Sequence, residues 1–213
     1  MPKGWTKFLK RDDIVAKSSF FEISEDDCMD LKKVFGNNNP ICLDVGCGKG
    51  EFLAEVSKIY PKTNFLGIEA KKKRIVSTLI KLDVAQNSNV RLFHHFVKED
   101  LSSIFGKSCF ERIYINFPDP WPKAKQKKRR LITEDFVKSV VEILKPKGVL
   151  KISTDNVDYA QNIRLLLGNN VLLQSLKLDG EFDSLGFGIK TFFEKCQKQK
   201  GFEAFHNIFR KIA

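Results

Sequence analysis

The sequence predicts an α/β fold in which a mostly parallel central sheet carries helices on both faces and includes an antiparallel last strand. Short apolar runs alternate along the chain with longer segments of helical periodicity, as in consecutive strand–helix units. The first apolar run leads into a glycine-rich turn, and polar residues directly follow several other runs. Such units build parallel sheets covered on both faces, and 213 residues are enough to bury a full core.

The N-terminal part of the chain predicts an appendage to this fold. Aromatic and charged residues are scattered over the first 23 positions, so we expect an irregular arm there. A helix is predicted from Ser24 to Gly36, because Asp27 occupies a capping-box position and glycine is typical of a helix end. The expected division places the arm and helix in residues 1–36 and the α/β domain in residues 37–213.

Within the α/β domain, five parallel strands are predicted at residues 41–45, 65–69, 90–93, 112–117 and 149–153. Helices are expected where apolar residues recur at intervals of three and four, at residues 51–60, 71–84, 133–144 and 157–167. Two more strands and one more helix are expected at residues 171–178, 202–210 and 190–199.

The first strand and its turn read I-C-L-D-V-G-C-G-K-G-E-F-L. Gly46, Gly48 and Gly50 permit positive φ and let a ligand approach the backbone, while the following helix offers free N–H groups. A dinucleotide fingerprint requires G-x-G-x-x-G, whereas the third glycine comes one residue early here, so an NAD site is disfavoured. The alternative is a glycine-rich βα turn without a ligand.

Two acids near this turn are candidate ligand-binding residues. Asp44 interrupts an apolar strand, and a buried carboxylate is costly unless it is paired, so it predicts a cationic ligand group. Glu69 ends the second strand, where an acid can accept both hydroxyls of a ribose, although a solvated strand end is the alternative. After the third strand, Phe96 occupies the position where an acid that binds the edge of an adenine is expected. Either backbone amides bind the adenine edge there while Phe96 packs against the adenine ring, or Asp100 takes the place of the acid.

The segment N-F-P-D-P-W-P-K-A-K-Q-K-K-R-R-L, residues 116–131, follows the fourth strand. Its prolines predict a stiff loop that presents Asp119, which suits a residue that orients a substrate, and Trp121 offers a stacking face for a base. Six cations then follow within eight residues, and we expect them to bind phosphates rather than to form a solvated face or a localisation signal: Lys123, Lys125, Lys127, Lys128, Arg129 and Arg130.

Composition narrows the partners and the compartment. Lys and Arg exceed Asp and Glu by 37 to 26, a net charge of +11, which favours a polyanionic partner such as nucleic acid or a membrane surface. No run of 18 apolar residues and no N-terminal apolar segment is present, so we expect neither a membrane span nor a signal peptide. The five cysteines lack C-x-x-C spacing, which predicts free thiols in a reducing cytoplasm and no metal site.

F-P-D-P-W-P-K followed by K-Q-K-K-R-R is similar to the signature of the bacterial tRNA (guanine-N7)-methyltransferases, which are class I S-adenosylmethionine-dependent enzymes. Four other segments resemble that family in the same order: L-D-V-G-C-G-K-G, F-L-G-I-E-A, S-T-D-N-V-D-Y-A and T-F-F-E. The resemblance covers roughly residues 40–210. It departs from the family at Phe96, where an Asp is common, and at Phe192, where a Lys is common.

The resemblance implies a Rossmann-like class I methyltransferase fold and methyl transfer from S-adenosylmethionine to N7 of a variable-loop guanine in tRNA. Asp119 is the implied catalytic residue. The implied cofactor-binding residues are Asp44, Gly46, Gly48, Glu69, Phe96 and Asp119. The implied substrate-binding residues are Lys123, Asp155, Thr191, Phe192, Phe193 and Glu194. Whether the protein is a monomer or a dimer is left open.

The chemistry of the base gives Asp119 an expected role. Guanine N7 is a lone-pair acceptor and carries no proton, so no general base is needed, and we expect Asp119 to orient the base and stabilise its positive charge. Three alternatives stay open: an amino-methylating enzyme with a distant D/N-P-P-Y/F/W loop, a non-catalytic RNA-binding protein, and a protein or small-molecule methyltransferase. The last would leave the six cations unexplained.

Overall fold

The computed structural model describes residues 11–97, 101–176, 191–199 and 201–212. Within these ranges the strands are β1 (Glu22–Ile23), β2 (Ile41–Val45), β3 (Asn64–Ile68), β4 (Val90–Phe93), β5 (Phe110–Asn116), β6 (Leu144–Thr154), β7 (Leu173–Ser175) and β8 (Phe205–Lys211). They form one sheet in the order β1-β4-β3-β2-β5-β6-β8-β7.

The helices are α1 (Arg11–Phe21), α2 (Leu31–Phe35), α3 (Glu51–Ile59), α4 (Lys72–Lys81), α5 (Ser102–Phe105), α6 (Glu134–Ile143), α7 (Val157–Gly168) and α8 (Phe192–Gln199). Two 3-10 helices cover Asp26–Asp30 and Ala124–Arg129. Among the residues described, no helix has the length and apolar character needed to cross a membrane.

The sheet confirms the predicted fold class. Strands β1 to β6 pair in parallel, whereas β8 runs antiparallel to both β6 and β7. Strand order reverses at β2, which lies between β3 and β5 with all five of its residues buried. In such sheets ligands bind at the carboxyl ends of the strands beside the reversal, so the fold places the site after β2, β3 and β5.

Each face of the sheet packs against its own buried layer. Alternate residues of β2 point to opposite faces: Leu43 and Val45 belong to the apolar cluster on one face, and Cys42 belongs to the cluster on the other. The first cluster is closed by α6 and α7 through residues such as Phe136 and Ile163, and the second by α3 and α4. The strand ends are therefore held between two packed layers.

The prediction of an irregular arm up to residue 23 is wrong for residues 11–21, which form α1, and residues 22 and 23 form β1 beside β4. Phe21 is fully buried, and the Arg91 guanidinium lies 4.6 Å from the Phe20 ring centroid and 5.3 Å from that of Phe35. Burial against β4 and α4 orders this segment, although its own apolar residues follow no clear helical face. The division at residue 36 stays a prediction.

The remaining boundaries moved by a few residues. The helix expected from Ser24 begins as a 3-10 turn, in which the Ser24 amide donates to Asp27 Oδ2 at 2.9 Å, and it ends at Gly36 in the left-handed conformation. Helix α5 was not predicted, because it has only four residues. The strand expected at 171–178 is observed as the three-residue β7. Residues 177 and 178 of the predicted strand lie outside the described part of the chain.

Candidate active site at the strand ends

The glycine-rich turn after β2 has the backbone that the sequence predicts. Gly46, Gly48 and Gly50 have φ of 75°, 63° and 73°, in the left-handed region that favours glycine. The Gly46 amide donates to the Ile68 carbonyl at 2.8 Å, which ties the turn to the end of β3. A Cβ on Gly50 would lie 2.2 Å from Thr78 Cγ2, so a side chain there would collide with α4. The turn is thus fixed from both sides.

Asp44 is a buried carboxyl group at the base of this turn. It is 3% exposed, and Asn116 Nδ2 donates to its Oδ1 at 3.3 Å. The pKa of Asp44 is raised to about 7: burial is the largest cause, the Asn116 hydrogen bond acts against it, and the charge of Glu69 adds to it. A cation placed beside Asp44 would favour its charged form, so the site is suited to a ligand ammonium group.

Glu69 follows β3 and is also buried, at 4% exposed. Its Oε1 accepts from the Lys71 amide at 2.8 Å, and its Oε2 accepts from the Gly48 amide at 3.1 Å and from Arg74 at 3.4 Å. Gly48 therefore contributes to the site by fixing Glu69. Because each carboxylate oxygen has two lone pairs, Oε1, which uses one for the Lys71 amide, can also accept from a ribose hydroxyl.

A cavity of about 660 Å³ lies above these groups. Gly46, Glu69, Phe96, Asp119 and Trp121 line it together with residues of β5, α4 and α6. Its size is within the range of small-molecule and cofactor sites. The structure therefore brings together four of the predicted cofactor residues at this cavity. Asp44 does not line the cavity but is hydrogen-bonded to Asn116, which does.

Phe96 projects at the mouth of this cavity and is 66% exposed. The preceding histidines are anchored, since the His95 ring stacks on Phe93 at 4.9 Å between centroids and His94 Nε2 lies 3.1 Å from the Ala70 carbonyl oxygen. Phe96 thus offers an apolar ring to a bound base. Asp100, the other candidate for the adenine edge, lies outside the described residues.

The loop after β5 is strained where it carries Asp119. Phe117 and Trp121 have φ of 53° and 40°, although neither is glycine, and each precedes a proline. Backbone strain of this kind persists only where the surroundings over-determine it. Here the Phe117 amide donates to the Ser153 carbonyl at 2.8 Å, and Arg130 Nε donates to the Pro120 carbonyl at 2.8 Å. These contacts hold Asp119 exposed at the edge of the cavity.

The six cations of the run differ in their surroundings. Arg130 is only 7% exposed, donates to Asp158 at 2.6 Å and lies 4.5 Å from the Tyr159 ring centroid, so it is engaged within the protein; phosphate binding by the run stays a prediction. Lys127 also donates to Asp158, at 3.1 Å. Lys127 is itself exposed, and so are four further cations on or next to the 3-10 helix beside the cavity: Lys123, Lys125, Lys128 and Arg129.

A second, smaller cavity of about 250 Å³ adjoins the first. Phe117 lines both cavities, and Asp155, Glu194, Phe202 and His206 also line the smaller one. Three carboxyl groups face it in all, because Glu203 is in its lining as well. The structure therefore brings together Asp155 and Glu194, two substrate residues implied by the resemblance, although they lie far apart along the chain.

The other predicted substrate residues are distributed differently. The Thr191 hydroxyl accepts from the Glu194 amide at 3.1 Å and so caps α8, and Thr191 itself is buried. Lys123 is exposed at the start of the 3-10 helix. Phe192 and Phe193 form the first turn of α8, and their side chains lie outside the described part of the structure.

Sequence reasoning missed several polar residues of the site. The contacts of Asn116 with Asp44 and of Arg130 with the loop were not predicted, and neither were His206 at the smaller cavity or Lys151 and Ser153 behind it. A signal did exist for two of them, since Lys151 and Ser153 alternate with apolar residues in a strand that otherwise reads as buried. In the described ranges, no group of three or more His, Cys, Asp or Glu side chains is arranged to hold a metal ion.

The sheet order, the glycine turn and the acid after β3 define a Rossmann-like class I methyltransferase. Solved structures share this fold: a 16S rRNA (adenine(1408)-N(1))-methyltransferase from Catenulisporales acidiphilia has a TM-score of 0.57 and 14% identity, over 90% of this chain and 94% of that one. A protein-family model described as "Putative methyltransferase" matches residues 38–206.

Curated relatives narrow the family. A tRNA (guanine-N(7)-)-methyltransferase of Geobacillus thermodenitrificans is 36% identical over 79% of this chain and 78% of its own length. The enzyme of the same name from Geobacillus kaustophilus is 34% identical over 80% and 78%. The chain belongs to the tRNA (guanine-N7)-methyltransferase family.

Proposed function

We propose that the protein transfers a methyl group from S-adenosylmethionine to N7 of a guanine in tRNA, which gives 7-methylguanosine. The observation that carries this proposal is the meeting of two cavities at Phe117, at the root of the loop that presents Asp119. One cavity has the groups that suit a cofactor, and the other has acids that suit a guanine. Exposed cations lie beside them on the same surface.

The larger cavity fits S-adenosylmethionine by its chemistry. Asp44 is a buried acid whose pKa is raised to about 7, chiefly by burial, and the ammonium of the methionine moiety would supply the missing positive charge. Glu69 would accept from a ribose hydroxyl, the backbone at Gly46 and Gly48 would approach the methionine end, and the Phe96 ring would pack on the adenine. When bound, the cofactor supplies a methyl group on a positively charged sulfur.

The smaller cavity suits a guanine. Guanine N1–H and N2–H₂ are donors, and carboxylates such as Asp155 and Glu194 accept from donors, whereas adenine has no N1–H. Phe117 and Phe202 supply rings on which a base can stack. With its amino edge held here, the base would direct N7 toward the larger cavity, and Asp119 would orient it and balance its developing charge.

The exposed cations suit a large, polyanionic substrate such as tRNA. Lys123, Lys125, Lys128 and Arg129 would contact backbone phosphates, which contributes affinity without sequence choice. Because N7 in an RNA helix faces a deep and narrow groove, the target base must leave its stack or lie in a loop. This requirement agrees with a variable-loop guanine. Free thiols at all five cysteines suit the cytoplasm, where we place the reaction.

The first prediction tests the reaction and Asp119 together. Purified protein incubated with methyl-labelled S-adenosylmethionine and unmodified tRNA is expected to give label in 7-methylguanosine on nucleoside analysis. Asp119→Ala and Asp119→Asn should each lower kcat by about 100-fold or more, because both remove the oriented charge. Cofactor binding is measured in parallel, so that loss of binding is separated from loss of turnover.

Other results would redirect the proposal. Near-full turnover and unchanged guanine selectivity of Asp119→Asn would show that the carboxylate charge is not used. Label in a methylated amino group of adenine or cytosine would support an amino-methylating enzyme instead. Bound cofactor without any labelled nucleoside would indicate a different acceptor or a binding protein.

A further inference from the structure

A buried charged cluster lies beside the smaller cavity, on one face of the sheet. Lys151 in β6 is 4% exposed. Ser153 lies two residues farther on and therefore on the same face, and the register pairs Lys151 with Ile208 and Ser153 with His206 of β8. Ile208 belongs to the apolar cluster under α3 and α4, so Lys151 is a buried lysine that lies next to apolar residues of this sheet face.

Glu194 of α8 connects this cluster to the cavity. His206 Nε2 lies 3.5 Å from Glu194 Oε1, and His206 Nδ1 lies 2.9 Å from Ser153 Oγ. The pKa of Lys151 is lowered to about 8, chiefly by burial, and the charge of Glu194 acts in the opposite direction. Glu194 and His206 both line the smaller cavity, whereas Lys151 and Ser153 lie behind them.

The energetic cost of this arrangement indicates a role. A buried ammonium group is expensive, and apolar residues of similar size often replace buried ion pairs without loss of stability. A buried ion pair is therefore weak evidence for stability. The Glu194 carboxylate lies 3.5 Å from the His206 imidazole and within electrostatic reach of the buried Lys151, and a carboxylate in such surroundings is restricted in orientation. Such restriction is what a carboxylate needs to accept hydrogen bonds from a planar base.

We propose that Lys151 and His206 are positioning residues that fix the Glu194 carboxylate in the smaller cavity, where it accepts from the amino edge of the target guanine. This inference rests on the proposed function. It assigns Lys151, which does not line the cavity, an effect on base recognition that acts through Glu194.

A double-mutant cycle tests the inference. Lys151→Met removes the charge but keeps the length of the side chain, and should lower kcat/KM for tRNA by about tenfold while cofactor affinity stays within about twofold. In a Glu194→Gln background, the same Lys151→Met change should have little further effect. Lys195→Met is the matched control, because Lys195 is the next residue of α8 but pairs at the surface with Glu55, and kcat/KM should stay within about twofold.

A second measurement does not depend on activity. The protein has only three histidines, so the NMR resonances of His206 can be assigned with a His206→Gln variant. Glu194→Gln and Lys151→Met should each shift the His206 imidazole resonances, and Lys195→Met should not. Thermal unfolding of each variant confirms that the fold is retained before kinetics are compared.

The outcomes separate this inference from the proposed function. If Lys151→Met has the same kcat/KM as the unsubstituted protein, or if its effect is equally large in the Glu194→Gln background, positioning through Glu194 is wrong even though guanine methylation stands. If no 7-methylguanosine forms, the proposed function fails, and with it the base contact. The His206 resonances then still decide whether Lys151 and His206 hold Glu194.

Discussion

Asp44 is the residue whose ionisation the fold controls most directly. Its pKa is raised from 3.8 to about 7, with burial as the main cause. Between these two values the native protein holds a proton that the unfolded chain has released. Asp44 therefore contributes stability that is present below about pH 3.8 and is lost as the pH rises through about 7. A cationic ligand reverses this preference, since it favours the carboxylate.

The second prediction follows from this linkage. S-adenosylhomocysteine, which carries the same ammonium group as the cofactor, should bind more tightly at pH 7.5 than at pH 5.5, by on the order of tenfold, because Asp44 ionises over that range. Calorimetric titration at several pH values measures the slope. Asp44→Asn should bind more weakly and without this slope. An unchanged slope in Asp44→Asn would assign the proton to another group.

At the scale of single residues, the sequence was informative where a local rule applies. The glycine turn at Gly46 and Gly48 and the acid Glu69 could be predicted, because positive-φ glycines and a strand-end acid occur at characteristic positions after their strands. Asn116 and Arg130 could not be assigned their partners in the same way. Their roles depend on contacts with residues 72 positions away, at Asp44, and 28 positions away, at Asp158.

The loop and 3-10 helix over residues 116–130 act as one element. Arg130 connects the Pro120 carbonyl to Asp158 of α7, so it holds the strained loop against this helix. Helix α7 itself has no residue in the lining of the larger cavity. The Arg129 guanidinium lies 5.2 Å from the Trp121 ring centroid and supports the same loop from the outside. The element thus combines a buried anchor with an exposed cationic surface.

The third prediction separates these two functions within one run of cations. Arg130→Met should lower the free energy of unfolding by about 2 kcal/mol, because the buried Arg130 side chain donates to the Pro120 carbonyl and to Asp158 and packs on the Tyr159 ring. Lys125→Met should change it by less than about 0.5 kcal/mol, but should reduce the slope of log K for tRNA against log salt concentration by about 1. Urea unfolding and tRNA binding at several salt concentrations measure both. Equal stability losses would contradict a structural role specific to Arg130.

At the scale of the whole molecule, the N-terminal segment shares the core of the sheet. Phe21 is completely buried among the residues that close the face under α3 and α4, and the Lys17 ammonium donates to the Leu82 carbonyl at the end of α4. Glu22 accepts from Lys72 at the start of α4. These contacts span both ends of α4, so α1 and β1 support the wall of the larger cavity.

The fourth prediction measures this support. Phe21→Ala should lower the free energy of unfolding by about 3–5 kcal/mol, the usual effect of truncating a buried phenylalanine. Val15→Ala is the matched control, because Val15 lies in the same helix but is 58% exposed, and its effect should be below about 1 kcal/mol. Chemical denaturation followed by circular dichroism measures both. Equal effects would show that α1 is not an integral part of the core.

The elements of the fold could be predicted where their own sequence has a clear apolar periodicity. Alternating apolar runs and amphipathic segments identified the five central strands and helices α3, α4, α6 and α7, with boundaries within about five residues, but not the four-residue α5. Helix α1 and the two-residue β1 were missed, because their order comes from packing on β4 and α4 rather than from their own pattern. Likewise, no local pattern reveals that two cavities meet at one phenylalanine.

The position of β8 has a consequence for biosynthesis. This strand follows β7 along the chain but lies between β6 and β7 in the sheet, so β7 has no neighbour to pair with until β8 has left the ribosome. All residues lining the larger cavity lie between Val45 and Phe136, whereas the smaller cavity needs residues up to His206. The residues that line the larger cavity therefore leave the ribosome before those that complete the smaller cavity, where we propose that the RNA base binds.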